Sequence, residues 1–532
     1  MKSIELRQSV TISIFLASLC LLTTPAARGE LSPRRGGALR VELHSQTVSL
    51  DTREWKIGTT ASATNEKLAA LVFDRLLALD NYGRFQPQLA MEWSHDAAFK
   101  KWQFALRTNV KFPDGTAFVA ADVVAALQPL LPNGQQITAS GNSVVIQSAI
   151  AMPDLLEELA SGRFFVYRVQ PDGTLMGTGP FFVAETSTDG HRASNPAAAA
   201  KDSDGASVAP GATGTIHLLF RANETTWSGR PFLDAIDVTL GVPPLRQLFD
   251  LQLGKADLVE LSPDLVRRAA QENLRVWASA PVTLYGLRFD DAQPAAVDAK
   301  LREALALSLD RHTMANVLLQ KQAEPATALL PQWLSGYAFL LTVETNIERA
   351  KEIRAALPPN AAAGTDPLRL RVDASGDLPK LLGERVAVNA RQAAIPLQVV
   401  NRAAARGSSS ASVTSNDAAP GLHLFAWHYS SLSSRVELES FVSALNLGES
   451  SDSAVSSTDP EQLYAREKKL LEERHVLPLV VLPEYVGLGP NVRDWMPARW
   501  GEWHLADVWL DVPEPSAEQR GNSNAVAPGA KP

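Results

Sequence analysis

The chain has almost no cysteine: its 532 residues hold one, Cys20. Cys20 falls inside an N-terminal apolar run, so the rest of the chain has neither a thiol nucleophile nor a disulfide. Clusters of basic residues are also absent. Lys and Arg number 50 against 58 Asp and Glu, the net charge is −8, and no basic run is longer than a pair such as Arg34-Arg35. That balance argues against nucleic-acid binding, which needs grouped cations for phosphate. The catalytic signatures are missing too. The nine histidines form no His-Glu-x-x-His, and there is no Gly-x-Ser-x-Gly elbow and no Gly-x4-Gly-Lys-Ser/Thr loop. Gly177-Thr178-Gly179 is too short for a dinucleotide fingerprint. The only long apolar run, Val10–Leu22, is short of the ~20 residues a spanning helix needs.

That run has another reading. Lys2 and Arg7 precede it, and Ala27-Arg28-Gly29 follows with small residues at the two positions a signal peptidase reads. Residues 1–29 therefore read as a secretory signal peptide. The chain is expected in the periplasm, and because Leu19 precedes Cys20 no lipid anchor is expected there. Hydrophobic content of 45% with 20% charge suits a globular chain with room for two domains.

Strand and helix patterns alternate along the chain, which points to α/β lobes. ALRVEL after Gly36-Gly37 alternates as a strand. Leu68, Leu71, Val72, Leu76 and Leu79 have helical spacing, predicting a helix over 65–79 capped by Asn65. In VKFPDGTAFVAADVVAAL, Val110 and Phe112 end a strand. Pro113-Asp114-Gly115 turns the chain, and a helix begins at Ala120 or Asp122 with a carboxylate near its positive end. KLREALALSLDRHTMANVLLQ predicts one helix of about two dozen residues with its following turn. LRLRVD and IPLQVV read as βαβ strands around KLLGERVAVNARQAA. Residues 184–214, 402–420 and 448–460 are polar insertions, and 512–532 reads as a disordered tail.

Few residues point to chemistry. His423 and His428 are five apart on a predicted strand, so they face opposite sides and do not share a metal. Asp290-Asp291 reads as a solvated turn. Aromatics are more informative. LHLFAWHYSSLSS is a strand ending in Trp427, His428, Tyr429 and Ser430. A strand end carrying rings and hydroxyls is suited to line a cleft.

The order of these motifs resembles the extracytoplasmic solute-binding proteins of ABC transporters, in the peptide- and nickel-binding family (family 5). The likeness is carried by LVFDRLLALDNYGRFQPQLAMEW, VKFPDGTAFVAADVV, GTGPF, RANETTWSGRPFLDAI, LQLGKADLV, KLREALALSLDR and LLPQWLSGYAF, and runs from about Gly36 to Gly489. The resemblance implies a two-lobed periplasmic-binding-protein fold (type II, large cluster) with hinge-linked lobes that close on a solute. Residues 36–280 with the return segment 476–511 would form lobe I, and 281–475 lobe II. The implied function is the solute-binding component of an ABC importer. It captures a peptide-like or other small solute and delivers it to an inner-membrane permease, as a monomer, without a cofactor or metal, and not as an enzyme. The alternative is a ligand-binding sensor or scaffold of the same fold with no transport role. Trp427, His428, Tyr429 and Ser430 are the first candidate contacts. Trp55 and Thr59, after the opening strand, and Trp333, in LLPQWLSGYAF, complete the set. VKFPDGTAFVAADVV is read as scaffold without ligand contacts. One departure matters. Peptide-binding relatives place an aspartate after the aromatic strand to hold the peptide's amino group, and here Ser430, Ser431, Ser433 and Ser434 follow. A buried ammonium needs a charge partner, which argues against a free-amine peptide.

Overall fold

In the computed structural model, residues 32–80, 82–188, 215–289, 297–358, 367–372, 376–401, 421–447 and 458–511 are described, with 191–193 and 401 by backbone alone. The segment 1–29 read as a signal peptide, Asp290-Asp291, the insertion 402–420, most of the insertion 448–460 and the segment 512–532 lie outside them. The described residues from Arg35 onward form one compact unit. In chain order its elements include β1 (Ala38–Leu43), α1 (Thr60–Val72), α2 (Ala120–Leu127) and α3 (Leu155–Leu159), then β2 (Phe181–Thr188), β3 (Ile216–Ala222), β4 (Ala235–Leu240), β5 (Leu258–Leu261) and β6 (Arg275–Phe289). They continue with β7 (Leu368–Val372), α4 (Asp377–Gln392), β8 (Leu397–Asn401), β9 (Gly421–His428), α5 (Ser434–Ala444) and β10 (Val476–Leu488).

One sheet runs β2-β3-β4-β1-β5-β10-β6-β9-β7-β8. β1 lies parallel between β4 and β5, and β7 parallel between β8 and β9, which is the βαβ unit read from the sequence. Between these parallel regions lie two long antiparallel strands, β6 and β10. Their pairing slips around Pro281 and Pro483. On one side of that slip Trp277 and Val486 pack into a core built with β1, β4 and α1. On the other, Leu287 and Leu479 pack into a core built with β7, β9 and α4. Two strands thus carry the chain between two hydrophobic bodies, the two-lobed α/β fold. A four-stranded sheet (Ala90–His95, Lys101–Leu106, Gln135–Ser140 and Ser143–Ser148) is covered by α2 and α3 in a third core.

The stretch from Val110 to Leu127 is scaffold. Gly115 takes φ +83 in the turn, Asp114 accepts from the Thr116 amide, and Asp122 accepts from the Val119 amide at the start of α2. Arg168 then forks onto Asp122 at 2.8 and 2.9 Å.

Three local expectations are corrected. The first helix starts at Thr60, capped by Thr59, and ends at Val72. Asn65 sits within it and accepts the Ser49 amide, while Leu77–Leu79 is a strand. Apolar spacing that bridged both elements produced the error. The long helix from Lys300 is broken. It runs Ala299–Ser308, and Asp310 caps a new turn by accepting the Thr313 amide. Arg311, 3% exposed, opens that turn and donates to the Pro478 carbonyl. The polar insertion assigned to 184–214 begins later, since β2 continues to Thr188, paired with β3 past an irregularity between Val183 and Glu185. Residues 194–214 lie outside the described residues.

Candidate functional site

α1 and the end of β9 meet where the two bodies face each other. Thr59 caps α1 by accepting the Ser62 amide at 3.2 Å. Ser62 and Glu66 are one turn apart and share a face. Both line a cavity of about 390 Å³. Its other walls include Leu130, Pro132, Asn133, residues 150–152 and residues 161–164 from beside the four-stranded sheet, and Ser430, Ser431 and the α5 residues Arg435, Val436, Glu439 and Ser440 from the other side. A smaller chamber of about 30 Å³ adjoins it, sharing Glu66, Ser161, Ser430 and Ser431. Lys67, Trp333, His428, Tyr429, Glu484, Trp500 and Glu502 also line this chamber.

The structure separates the seven candidate residues. Trp55 lines the large cavity and Ser430 lines both. His428, Tyr429 and Trp333 line the small chamber. Thr59 and Trp427 are not among the lining residues. Thr59 acts as a helix cap. Trp427, 3% exposed, packs edge-on to Phe441, and its Nε1 donates to Glu437 at 2.6 Å. The polar handles of the other rings are also spent on protein. Trp55 donates to the Ser49 carbonyl, Trp333 to the Pro281 carbonyl and Tyr429 to the Leu329 carbonyl.

The carboxylate missing from the strand end is present beneath it. Glu437 is fully buried and accepts from Trp427 Nε1 and from the Ser430 and Ser431 amides. Burial pushes its carboxyl up to about 7 against those donors. It fixes the loop and has no open face. The serines after the strand are thus tied to an internal acid.

The charges that face the cavities come from elsewhere. Arg75, 2% exposed, bridges Glu66 at 2.7 Å and Glu502 at 2.5 Å, donates to the Gly162 carbonyl, and lies 3.9 Å over the Phe165 ring. Lys67 reaches Glu484 at 2.8 Å and Glu260 at 3.8 Å. Two cations therefore serve four carboxylates, of which Glu66, Glu484 and Glu502 line the cavities. Burial, opposed by Arg75 and reinforced by Glu502, pushes Glu66 up to about 8. Burial pushes the His428 imidazole down to about 4, so it is neutral at neutral pH and adds no cation. The floor is short of positive charge. Arg163 presents the opposite situation. It lines the large cavity, donates to the Leu130 carbonyl at 3.4 Å, and has no carboxylate partner among the described residues. Burial lowers its pKa, so an anion beside it would be favoured.

Sequence reasoning missed Glu66, Arg75, Arg163, Arg435 and Glu437. Arg75 carried a usable signal, as a charge within the apolar run LVFDRLLAL. Arg163 carried none. Among the described residues no three His, Asp, Glu or Cys side chains are grouped to hold a metal ion, and no helix is long and apolar enough to cross a membrane.

A two-lobed α/β fold with a lined cavity between its bodies defines the class of solute-binding proteins. Within that class the chain belongs to the bacterial extracellular solute-binding proteins, family 5, whose model matches residues 84–157 and 212–427. It is 24% identical over 354 residues to a probable di/tripeptide-binding protein 5 of Pseudomonas aeruginosa, covering 61% of this chain and 63% of that one. It is 23% identical over 342 residues to the nickel-binding periplasmic protein of Escherichia coli, covering 61% and 64%. The matched stretch is thus less than two thirds of either relative's length. The oligopeptide-binding protein AppA of Bacillus subtilis, solved with a nonapeptide, superposes with a TM-score of 0.69 at 14% identity, over 90% of this chain and 100% of that one. Its likeness is one of fold.

Proposed function

We propose that this protein is the solute-binding component of an ABC importer, exported by the signal peptide at residues 1–29. It takes a small peptide-like solute into the cavity and presents the closed form to an inner-membrane permease. The lobes are 36–280 with the return segment, and 281–475, with the second crossing lying within β10. The observation that carries this reading is the cavity of about 390 Å³ with unbalanced charge at two points. Glu66, backed by Glu484 and Glu502, favours the solute's cationic group. Arg163 favours its carboxylate. His428, Tyr429, Ser430, Trp333 and Trp55 shape the walls. A free-amine solute is thereby restored as the favoured ligand, its charge partner supplied by α1 instead of by the strand end. The probable di/tripeptide-binding relative is consistent with a solute of that kind.

Native mass spectrometry of the exported protein, purified gently from its own host, tests the reading. A bound mass of a short peptide or amino-acid derivative is expected, with a thermal shift on adding dipeptides. A bare protein that shows no shift with di- or tripeptides would overturn it.

A further inference from the structure

Outside the crossing strands, the ranges 36–280 and 281–475 are also joined by side chains, at the wall of the large cavity. α5 begins there. Ser433 caps it by accepting the Val436 amide at 3.2 Å, and the same hydroxyl donates to Asp154 Oδ2 at 2.5 Å. Arg435, in the first turn, forks onto Asp154 through Nε at 3.0 Å and Nη2 at 2.8 Å. Nη2 also reaches Glu158 at 3.0 Å, and Nη1 reaches Glu439 at 2.9 Å. The Leu432 amide donates to Ser161 Oγ at 3.3 Å. Asp154 and Glu158 are 5% and 6% exposed, and they flank or lie in α3, whose Leu155 and Leu159 are fixed in the core of the four-stranded sheet. Asp154 and Glu158 are therefore anchored by α3 in the core of the four-stranded sheet, within residues 36–280, and Arg435 by α5, whose Leu438 and Phe441 pack with Phe425 and Trp427 of β9, within 281–475.

We propose that Arg435 is a positioning residue for solute capture: it straps α5 to Asp154 and Glu158 along the cavity wall, and so holds the two lobes together around the site. This rests on the reading of 36–280 and 281–475 as lobes that move relative to each other. The chemistry suits a strap. A guanidinium makes a planar two-point contact with a carboxylate that an ammonium cannot reproduce. Apart, Asp154, Glu158 and Arg435 would each be solvated. Together they are desolvated, and such a pair is favourable only when its hydrogen bonds are made; both Asp154 oxygens accept here, and Glu158 Oε1 accepts from Arg435. The strap also belongs to the cavity wall, since Glu158, Arg435 and Glu439 line it. Forming the strap completes the chamber, and releasing it opens a path out.

The near absence of cysteine makes the test direct. Cys20 is the only thiol, so the exported chain carrying Gln136→Cys and Ser443→Cys, two exposed positions on opposite bodies, takes one spin-label pair. Double electron–electron resonance then reads the inter-lobe distance without any solute, so a failure of the strap and a failure of solute capture are separate results. The native background is expected to show one short distance population. Arg435→Met and Asp154→Asn should each add a longer population, and Arg435→Lys should not restore the short one fully. Circular dichroism melts identify variants that have lost the fold. Unchanged distance distributions in folded Arg435→Met and Asp154→Asn would overturn the proposal. Loss of the fold in both would overturn it as well, since the residues would then hold the fold itself and not the lobes.

Discussion

Glu437, fully buried, and Glu66, partly buried, are two glutamates near the same strand end, and they have opposite relations to the protein. Glu437 is closed off. Its oxygens accept from an indole and two backbone amides, and burial raises it to about 7. Glu66 shares its one guanidinium with Glu502, lines both cavities and is raised to about 8. A raised carboxyl therefore does not identify a ligand site by itself. The distinction lies in whether the protein has used up the acceptor's partners. Glu437 has three donors and no access to the cavities. Glu66 has a divided partner and an open face.

That distinction predicts different consequences for the two residues. The largest effect belongs to Glu437. Glu437→Leu leaves Trp427 Nε1 and two amides without an acceptor, at roughly 1–3 kcal/mol for each orphaned donor. A fall in melting temperature large enough to compromise the fold is expected in a thermal denaturation series. A melt indistinguishable from that of the native protein would show that the loop has another anchor. Next comes Arg75→Met, which leaves Glu66 and Glu502 facing each other. Breaking a buried pair from one side costs about 3–5 kcal/mol. Removing both charges in Arg75→Met/Glu502→Gln should recover part of it. A smaller loss, about 1–3 kcal/mol, follows from overpacking in Gly58→Ala. The added Cβ would lie 2.3 Å from the Trp427 ring, at a φ of +79, and the Gly58 carbonyl accepts the His428 amide. Chemical denaturation of these variants ranks the three sites.

Much of the fold was legible in the sequence because its elements announce themselves locally. The βαβ unit, the turn at Pro113-Asp114-Gly115 and the strand ending in Trp427 depend on periodicity and turn chemistry within a few residues. Where two elements shared one apolar spacing, as between Val72 and Leu77, the sequence did not show the break. The site was legible only in part. Aromatic residues at a strand end marked the neighbourhood, and His428, Tyr429 and Ser430 do line the cavities. Trp427 was indistinguishable from them in sequence, because alternation along a strand does not say which ring reaches solvent and which meets a glutamate ten residues on. The charges could not be read at all. Arg75 meets Glu502 across 427 positions, and Arg435 meets Asp154 across 281. Pairing at that range is a property of the folded chain.

The smallest effect on stability is expected at Glu66, and it is the most informative. A carboxyl whose folded pKa is raised binds its proton more tightly when folded. Its contribution is therefore fully present below the unfolded value near 4.5 and is lost as pH rises through about 8. Glu42, Glu158, Glu437 and Glu467, each raised to about 7, act in the same direction. His428, lowered to about 4, opposes them below pH 6.5. The melting temperature should then fall between pH 6 and pH 8.5, and Glu66→Gln should flatten the alkaline part of that slope. Capture has the opposite sign. An ammonium needs Glu66 ionised, so affinity for a free-amine dipeptide should tighten as pH rises from 6 to 8, by up to ~10-fold per unit where one proton is released. Isothermal titration in two buffers of different ionisation heat counts that proton directly. In Glu66→Gln the stability slope and the pH dependence of capture should shrink together. If capture keeps its full pH dependence in that variant, the solute's amine is held by some other group, and Glu66 joins Glu437 among the acids that serve the fold alone.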